Sequence, residues 1–271
     1  MQLNKDVYIK SEYTKTVIAR RGLQPAEKTA FELIFKEKER IAILDIGVGG
    51  GRTTEFLEDK ASRYVGIDYS PTMVAACRRK FEKARNASFQ LCDARDLSRF
   101  KDNEFDLVVF SFNGIDNLDP QGRNDALKEM RRVLKSGGYL LFSSHSTAAI
   151  KKEFSFKVFS LRYRFLPMVY LASIYNYIMM PVVNRHIDLS TTPDMVVIKY
   201  PDASFKQMFV SPVAQTKMLR QLEFIDIRVL SFSTGLELNK EQMKLSEDNW
   251  LYYLCRKHPD NPKIQFDFSI M

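Results

Sequence analysis

The apolar run Ile41-Ala-Ile-Leu-Asp45-Ile ends beside an acid and breaks into Gly47-Val-Gly49-Gly-Gly51-Arg52, and a helical pattern resumes at Thr53. A run this short, bounded this way, reads as a buried parallel strand followed by a tight turn and a helix start. Glycines at alternate positions permit positive φ and let a ligand approach main-chain N–H groups at the helix N-terminus. The stretch predicts an α/β fold with an anionic or polar ligand at the end of its first strand.

The spacing narrows the choice of ligand. A dinucleotide turn follows G-x-G-x-x-G, and Arg52 stands where its third glycine would fall. Here the order is Asp45, Gly47, Gly49, Gly51, and this D-x-G-x-G-x-G resembles motif I of the class I S-adenosylmethionine-dependent methyltransferases. Three further stretches bear on the comparison. Arg63 to Asp68 is a second strand ending in an acid, roughly 20 residues after the first glycine, the distance at which Rossmann-type folds place a carboxylate on ribose hydroxyls. NAD-binding proteins share that feature. The third strand, Ser88 to Cys92, runs into Asp93-Ala94-Arg95-Asp96-Leu97, similar to the family's D-A-x-D-L. Arg132 to Phe142 reads R-V-L-K-S-G-G-Y-L-L-F and resembles the family's R-V-L-K-P-G-G-x-L-x-F, with Ser136 for the proline.

The resemblance spans 41–145 and implies S-adenosyl-L-methionine as cofactor, with S-adenosyl-L-homocysteine as product. It implies that Asp45, Gly47, Gly49 and Gly51 form the cofactor turn and that Asp68 and Tyr69 take the ribose end. Met73, Asp93 and Ala94 then surround the adenine, and Tyr13 and Arg20 reach the carboxylate from a lid. The fourth strand, Glu104 to Phe110, ends in Ser111-Phe112-Asn113, beyond the carboxyl end of the sheet where such folds bind ligands. Read without the resemblance, Arg20 is a solvated surface arginine, Met73 a core methionine and Asp93 a turn former.

The expected architecture is α/β, a Rossmann-like seven-stranded mostly parallel sheet with a helical, aromatic cap inserted between strands 5 and 6. Its parts are N-terminal lid helices (1–40), a cofactor-binding core (41–145), a cap lining an acceptor pocket (146–211), core completion by strands at 224–230 and 250–256 (212–258), and a tail (259–271). Within the cap, Lys157 to Val183 is rich in aromatics and methionine, and 165–184 carries no charge. That length reaches a membrane span, but Pro167, Pro181, Ser173, Asn176 and three tyrosines oppose one. A pocket wall is the first reading of this segment, and peripheral membrane contact through 157–183 the second.

In-line methyl transfer asks the protein to position, to desolvate and, for a hydroxyl acceptor, to take a proton. His145, at the carboxyl end of the fifth strand, is the first candidate base, with Asp116 in the preceding strand's loop and His186 in the cap as others. The alternatives are a strand-end histidine bonded to a loop and an acid shaping a turn. His258 reads as tail. Neither a D/N-P-P-Y/F motif nor a Pro-Cys nucleophile follows the fourth strand. Cys77, Cys92 and Cys255 lie far apart without metal or disulfide spacing, so no metal is expected. The N-terminus lacks a signal-peptide core, and a cytoplasmic location is expected.

The predicted activity is methyl transfer to an O or N atom of a small, apolar or aromatic acceptor, with no nucleic acid as partner. A lipid or quinone methyltransferase acting at a membrane surface is the alternative. The net charge of +8 also allows a non-catalytic cofactor-binding or RNA-associated protein.

Overall fold

The computed structural model describes residues 11–155, 167–188, 190–201 and 206–259. In chain order these form α1 (Ser11–Ala19), α2 (Pro25–Glu37), β1 (Ile41–Ile46), α3 (Thr54–Leu57), β2 (Ala61–Asp68), α4 (Pro71–Lys80), β3 (Ala87–Leu91), β4 (Phe105–Phe110), α5 (Pro120–Val133) and β5 (Leu134–His145). There follow α6 (Ile150–Glu153), α7 (Pro167–Val183), β6 (Met195–Lys199), β7 (Lys206–Val210), α8 (Pro212–Gln221), β8 (Phe224–Ser231), α9 (Lys240–Leu245) and β9 (Trp250–Lys257).

Seven strands make one sheet in the order β3-β2-β1-β4-β5-β9-β8. The strands β1 to β5 pair in parallel, while β9 runs antiparallel between β5 and β8. This is the predicted sheet. Strand order reverses between β2-β1 and β4-β5, so the carboxyl ends of β1 and β4 flank a crevice where a ligand can enter. The central strands β1, β4, β5 and β9 are largely apolar because both faces are covered: Leu44, Val108, Leu140 and Phe142 face one core, and Ile43, Leu107, Leu141 and Leu254 face the other.

Helix starts follow local chemistry. Pro120 opens α5, and the Asp119 carboxylate accepts the Gly122 N–H at 2.9 Å. Pro212 opens α8, where the Ser211 hydroxyl accepts the Ala214 N–H at 3.1 Å. Two boundaries depart from the periodicity. The helix after the glycine turn is the single turn α3, because tight turns from Leu57 and Glu58 bring the chain straight into β2. β5 begins at Leu134, so the Ser136-Gly137-Gly138 turn lies inside the strand as a register shift against β4.

The insertion after β5 holds a two-stranded antiparallel sheet, β6 with β7, which the sequence reading of a helical cap did not include. Residues 156–166 and the tail from 260 lie outside the described residues, as does part of the segment 157–183. No helix among the described residues is long and apolar enough to cross a membrane.

Candidate functional site

The glycine turn is held from three sides. Beneath it, the buried Asp45 carboxylate accepts from the Thr53 hydroxyl at 2.5 Å and the Tyr64 hydroxyl at 2.6 Å. Burial pushes the Asp45 carboxyl up to about 6, against the opposing pull of those two bonds. Above it lies α1: a Cβ on Gly50 would stand 2.5 Å from the Ile18 Cα, so only glycine lets that helix approach. Beside it, Gly51 takes φ +74°, and an added Cβ there would overlap the Phe81 ring.

The turn is also tied to the end of β2. The Asp68 carboxylate accepts the Gly49 N–H at 3.0 Å and the Ser70 N–H at 2.9 Å. Burial raises its pKa, and these backbone bonds oppose the rise. Asp68 sits on the wall of a cleft with Gly47, Gly49, Tyr69, Met73, Asp93, Ala94, Ser111 and Phe112. Arg20 and Val17 of the N-terminal segment close one side, and Leu118 and Asn117 another. Of the residues expected at a cofactor, these share one cleft. Gly51 supports the turn without lining the cleft, and Asp45 lines a smaller adjoining depression with Arg20 and Arg52. The Tyr13 side chain lies outside the described residues.

Asp93 is less free than a loop acid. Arg95 grips it with two guanidinium nitrogens, the shorter contact 2.6 Å, and those bonds hold its carboxyl below the usual range.

Phe112 lines the cleft and Asn113, expected there too, is buried without lining it; the two are consecutive non-glycine residues in the left-handed region, with φ of 58° and 61°. The Asn113 N–H, donating to the Ser143 hydroxyl at 2.8 Å, helps hold this strained corner. Arg20 stacks its guanidinium 4.2 Å from the Phe112 centroid, and Arg52 lies 5.4 Å from it. Beneath them is a buried pair absent from the sequence reading. Arg52 donates to both Glu27 oxygens at 2.6 and 2.5 Å and to the Gly22 carbonyl at 2.8 Å. The Ser111 hydroxyl also donates to Glu27, and the Tyr252 hydroxyl donates at 3.2 Å. Burial works against the Arg52 charge, but the Glu27 bonds outweigh it and keep the pKa above its ordinary value.

The candidate bases His145 and Asp116 form one assembly. The His145 N–H and ring Nδ1 both lie 2.7 Å from Asp116 Oδ2. A carboxylate only accepts, so Nδ1 carries the proton and Nε2 is the basic nitrogen. The Asn113 amide donates toward Nε2 at 3.3 Å. The other Asp116 oxygen accepts from Arg123 at 2.6 Å and the Ser144 hydroxyl at 2.8 Å, while Arg123 also reaches Gln215 at 2.5 Å. All of these side chains are buried. His145 does not line the cleft itself. It stands behind Asn113, between the rings of Phe209 and Trp250 at 5.0 and 5.7 Å. His186 is exposed in the turn after α7 and stands outside this assembly. Among the described residues no three His, Cys, Asp or Glu side chains gather to hold a metal ion.

The sheet order, the glycine turn and the carboxylate at the end of β2 are those of the fold shared by class I, S-adenosylmethionine-dependent methyltransferases. Residues 43–138 match a family model described as a methyltransferase domain. A Bacillus subtilis (strain 168) protein named as a methyltransferase, YqeM, is 33% identical over 132 residues, covering 48% of this chain and 51% of that one. Demethylmenaquinone methyltransferase of Thermus thermophilus is 37% identical over 108 residues, covering 39% of this chain and 47% of that one. The chain thus spans about half the length of the curated relatives it matches. Over the whole fold, an S-adenosylmethionine-dependent methyltransferase structure from Clostridium acetobutylicum superposes with a TM-score of 0.60 at 15% identity, covering 91% and 96% of the two chains.

The chain's residues fit that cofactor. Asp68 presents a carboxylate able to accept ribose hydroxyls, Met73, Ala94 and Leu118 give an apolar surface for a purine, and Arg20 supplies a cation over the glycine turn.

Proposed function

We propose that this protein transfers a methyl group from S-adenosylmethionine to an oxygen or nitrogen of a small, apolar or aromatic acceptor. The observation that carries this reading is the Asp68 carboxylate, fixed by Gly49 and Ser70 on the wall of a cleft floored by apolar side chains. When bound, the cofactor supplies an electrophilic methyl whose sulfur leaves as a neutral thioether. The chain's part is to hold the acceptor beyond Phe112 and exclude water there. For a hydroxyl acceptor, His145 Nε2 takes the departing proton once the Asn113 amide that donates to it swings aside, with Asp116 holding the imidazole and balancing its new charge.

A second acceptor class, a lipid or quinone met at a membrane surface, is favoured by the apolar exposure of α7 and by the name of the Thermus relative. In either case the protein is read as working on the cytoplasmic side and without nucleic acid.

Calorimetric titration with S-adenosylmethionine, S-adenosylhomocysteine and NAD tests the reading. Micromolar binding of the first two and none of NAD is expected, followed by methyl transfer in a screen of phenols, amines and quinols. If neither binds and RNA does, with strong salt dependence, the enzyme reading is wrong.

A further inference from the structure

On a surface helix the apolar face ordinarily turns inward, and α7 does the opposite. Leu171, Ile174, Tyr175, Ile178 and Val182 follow the spacing i, i+3, i+4, i+7, i+11, which puts them on one face, and they are 64%, 44%, 51%, 59% and 58% exposed. The inward side is already satisfied. Met180 is buried with Ile150, Ile198 and Phe209. The Asn184 amide donates to the Met180 and Lys199 carbonyls at 3.0 and 2.8 Å and accepts the Lys199 N–H at 2.9 Å, pinning the helix end to β6. The apolar stripe is therefore held outward by the fold.

The charges around α7 indicate what covers it. No ionisable acid or base other than tyrosine occurs from 165 to 184, and Arg185 follows at once. Lys199 flanks the pinned end, and Lys151 extends from α6, whose Ile150 packs on Met180; all three cations are exposed. Lys152 is paired with Glu247 at 3.0 Å. Two exposed acids also lie in this region, Asp188, which accepts from Ser190, and Asp194, which accepts from Ser211, so three cations stand against two acids there. An apolar stripe with tyrosines at its margin and cations at one end complements an anionic bilayer surface, where rings sit at headgroup level and cations meet phosphate.

We infer that α7 is an interfacial anchor that lays its Leu171 to Val182 face into an anionic lipid surface, without crossing it. The inference extends the membrane-surface reading of the acceptor. Vesicle binding is measured without cofactor or acceptor, so its failure would leave the methyl-transfer reading standing.

The test is co-sedimentation of the full chain with vesicles of phosphatidylcholine alone or mixed with phosphatidylglycerol, at low and high salt. Binding to the anionic vesicles is expected, weakened several-fold by high salt and by Arg185→Glu. The double variant Ile174→Glu, Ile178→Glu should bind at least tenfold more weakly while keeping its circular dichroism and thermal transition, since both side chains are exposed. No binding to anionic vesicles would overturn the proposal, as would binding unchanged in the double variant. A wild-type dimer in sedimentation velocity that the double variant loses, with no vesicle binding in either, would assign the stripe to a second copy of this chain instead.

Discussion

His145 is held by Asp116 twice through one oxygen, its backbone N–H and its ring Nδ1 both lying 2.7 Å from Oδ2. The same carboxylate fixes where the strand ends and which ring nitrogen is basic. Replacing Asp116 by Asn offers the imidazole a carbonyl or an amide in place of a charge and releases Arg123 from its ion pair. With a hydroxyl acceptor found by screening, His145→Ala is expected to lower kcat by about 10²- to 10⁴-fold, the usual worth of a general base, at unchanged cofactor affinity. Asp116→Asn should lower kcat as well and also lower the melting temperature, because it leaves the buried Arg123 unpaired. A rate that survives His145→Ala would place the base elsewhere.

Asp68 has two duties, and its substitution separates them. The bonds to Gly49 and Ser70 belong to the fold, and the side of the carboxylate that lines the cleft belongs to the ligand. Asp68→Ala is expected to weaken S-adenosylmethionine binding roughly 10- to 1000-fold, the loss of one or two hydrogen bonds to a charged acceptor. It should also cost about 1–3 kcal/mol of stability, since the two N–H groups lose their partner. Isothermal titration and urea unfolding on the same preparation read both.

How far these features were legible in the sequence follows from the range of the interaction concerned. The strands β1, β4 and β5 stand out because each is an apolar run closed by a turn signal, while the edge strand β3 shows only Phe89 buried. The sheet order followed from the resemblance and from the crossover rules of α/β folds. His145 and Asp116 were each visible as strand-end candidates, while their pairing depends on the folded chain. Arg123 left a readable trace: it shares a helix face with Ala126, Leu127 and Met130, so periodicity alone marks it as an inward arginine. The Glu27 and Arg52 pair left none, since 25 positions separate the partners and Glu27 looks only like the acid of a helix first turn. The β6-β7 pair left a readable trace in the β-branched run Val196-Val197-Ile198, which reading the whole insertion as a helical cap passes over.

Gly50 shows how the N-terminal segment depends on the cofactor turn. A methyl there would push against the Ile18 main chain, while the sheet beneath is untouched. Gly50→Ala should dislodge α1, seen as faster proteolysis between residues 11 and 24, and weaken cofactor affinity by an order of magnitude or more. Global unfolding should change little, because the strand core does not rest on α1.

Asp45 gives the fold a pH dependence of definite sign. Its carboxyl is raised by burial to about 6, whereas in the unfolded chain it returns to 3.8. Between those values the folded protein holds a proton that the unfolded chain has lost, so this group's contribution to stability is fully present below about pH 4 and declines as pH rises through 6. The full difference corresponds to about 3 kcal/mol. Asp45→Asn keeps an acceptor for Thr53 and Tyr64 and cannot ionise. Measured by urea unfolding, its stability relative to wild type should therefore improve by an amount of that order between pH 4 and pH 7. A constant difference across the window would mean that Thr53 and Tyr64 stabilise the carboxylate well enough to cancel the effect of burial.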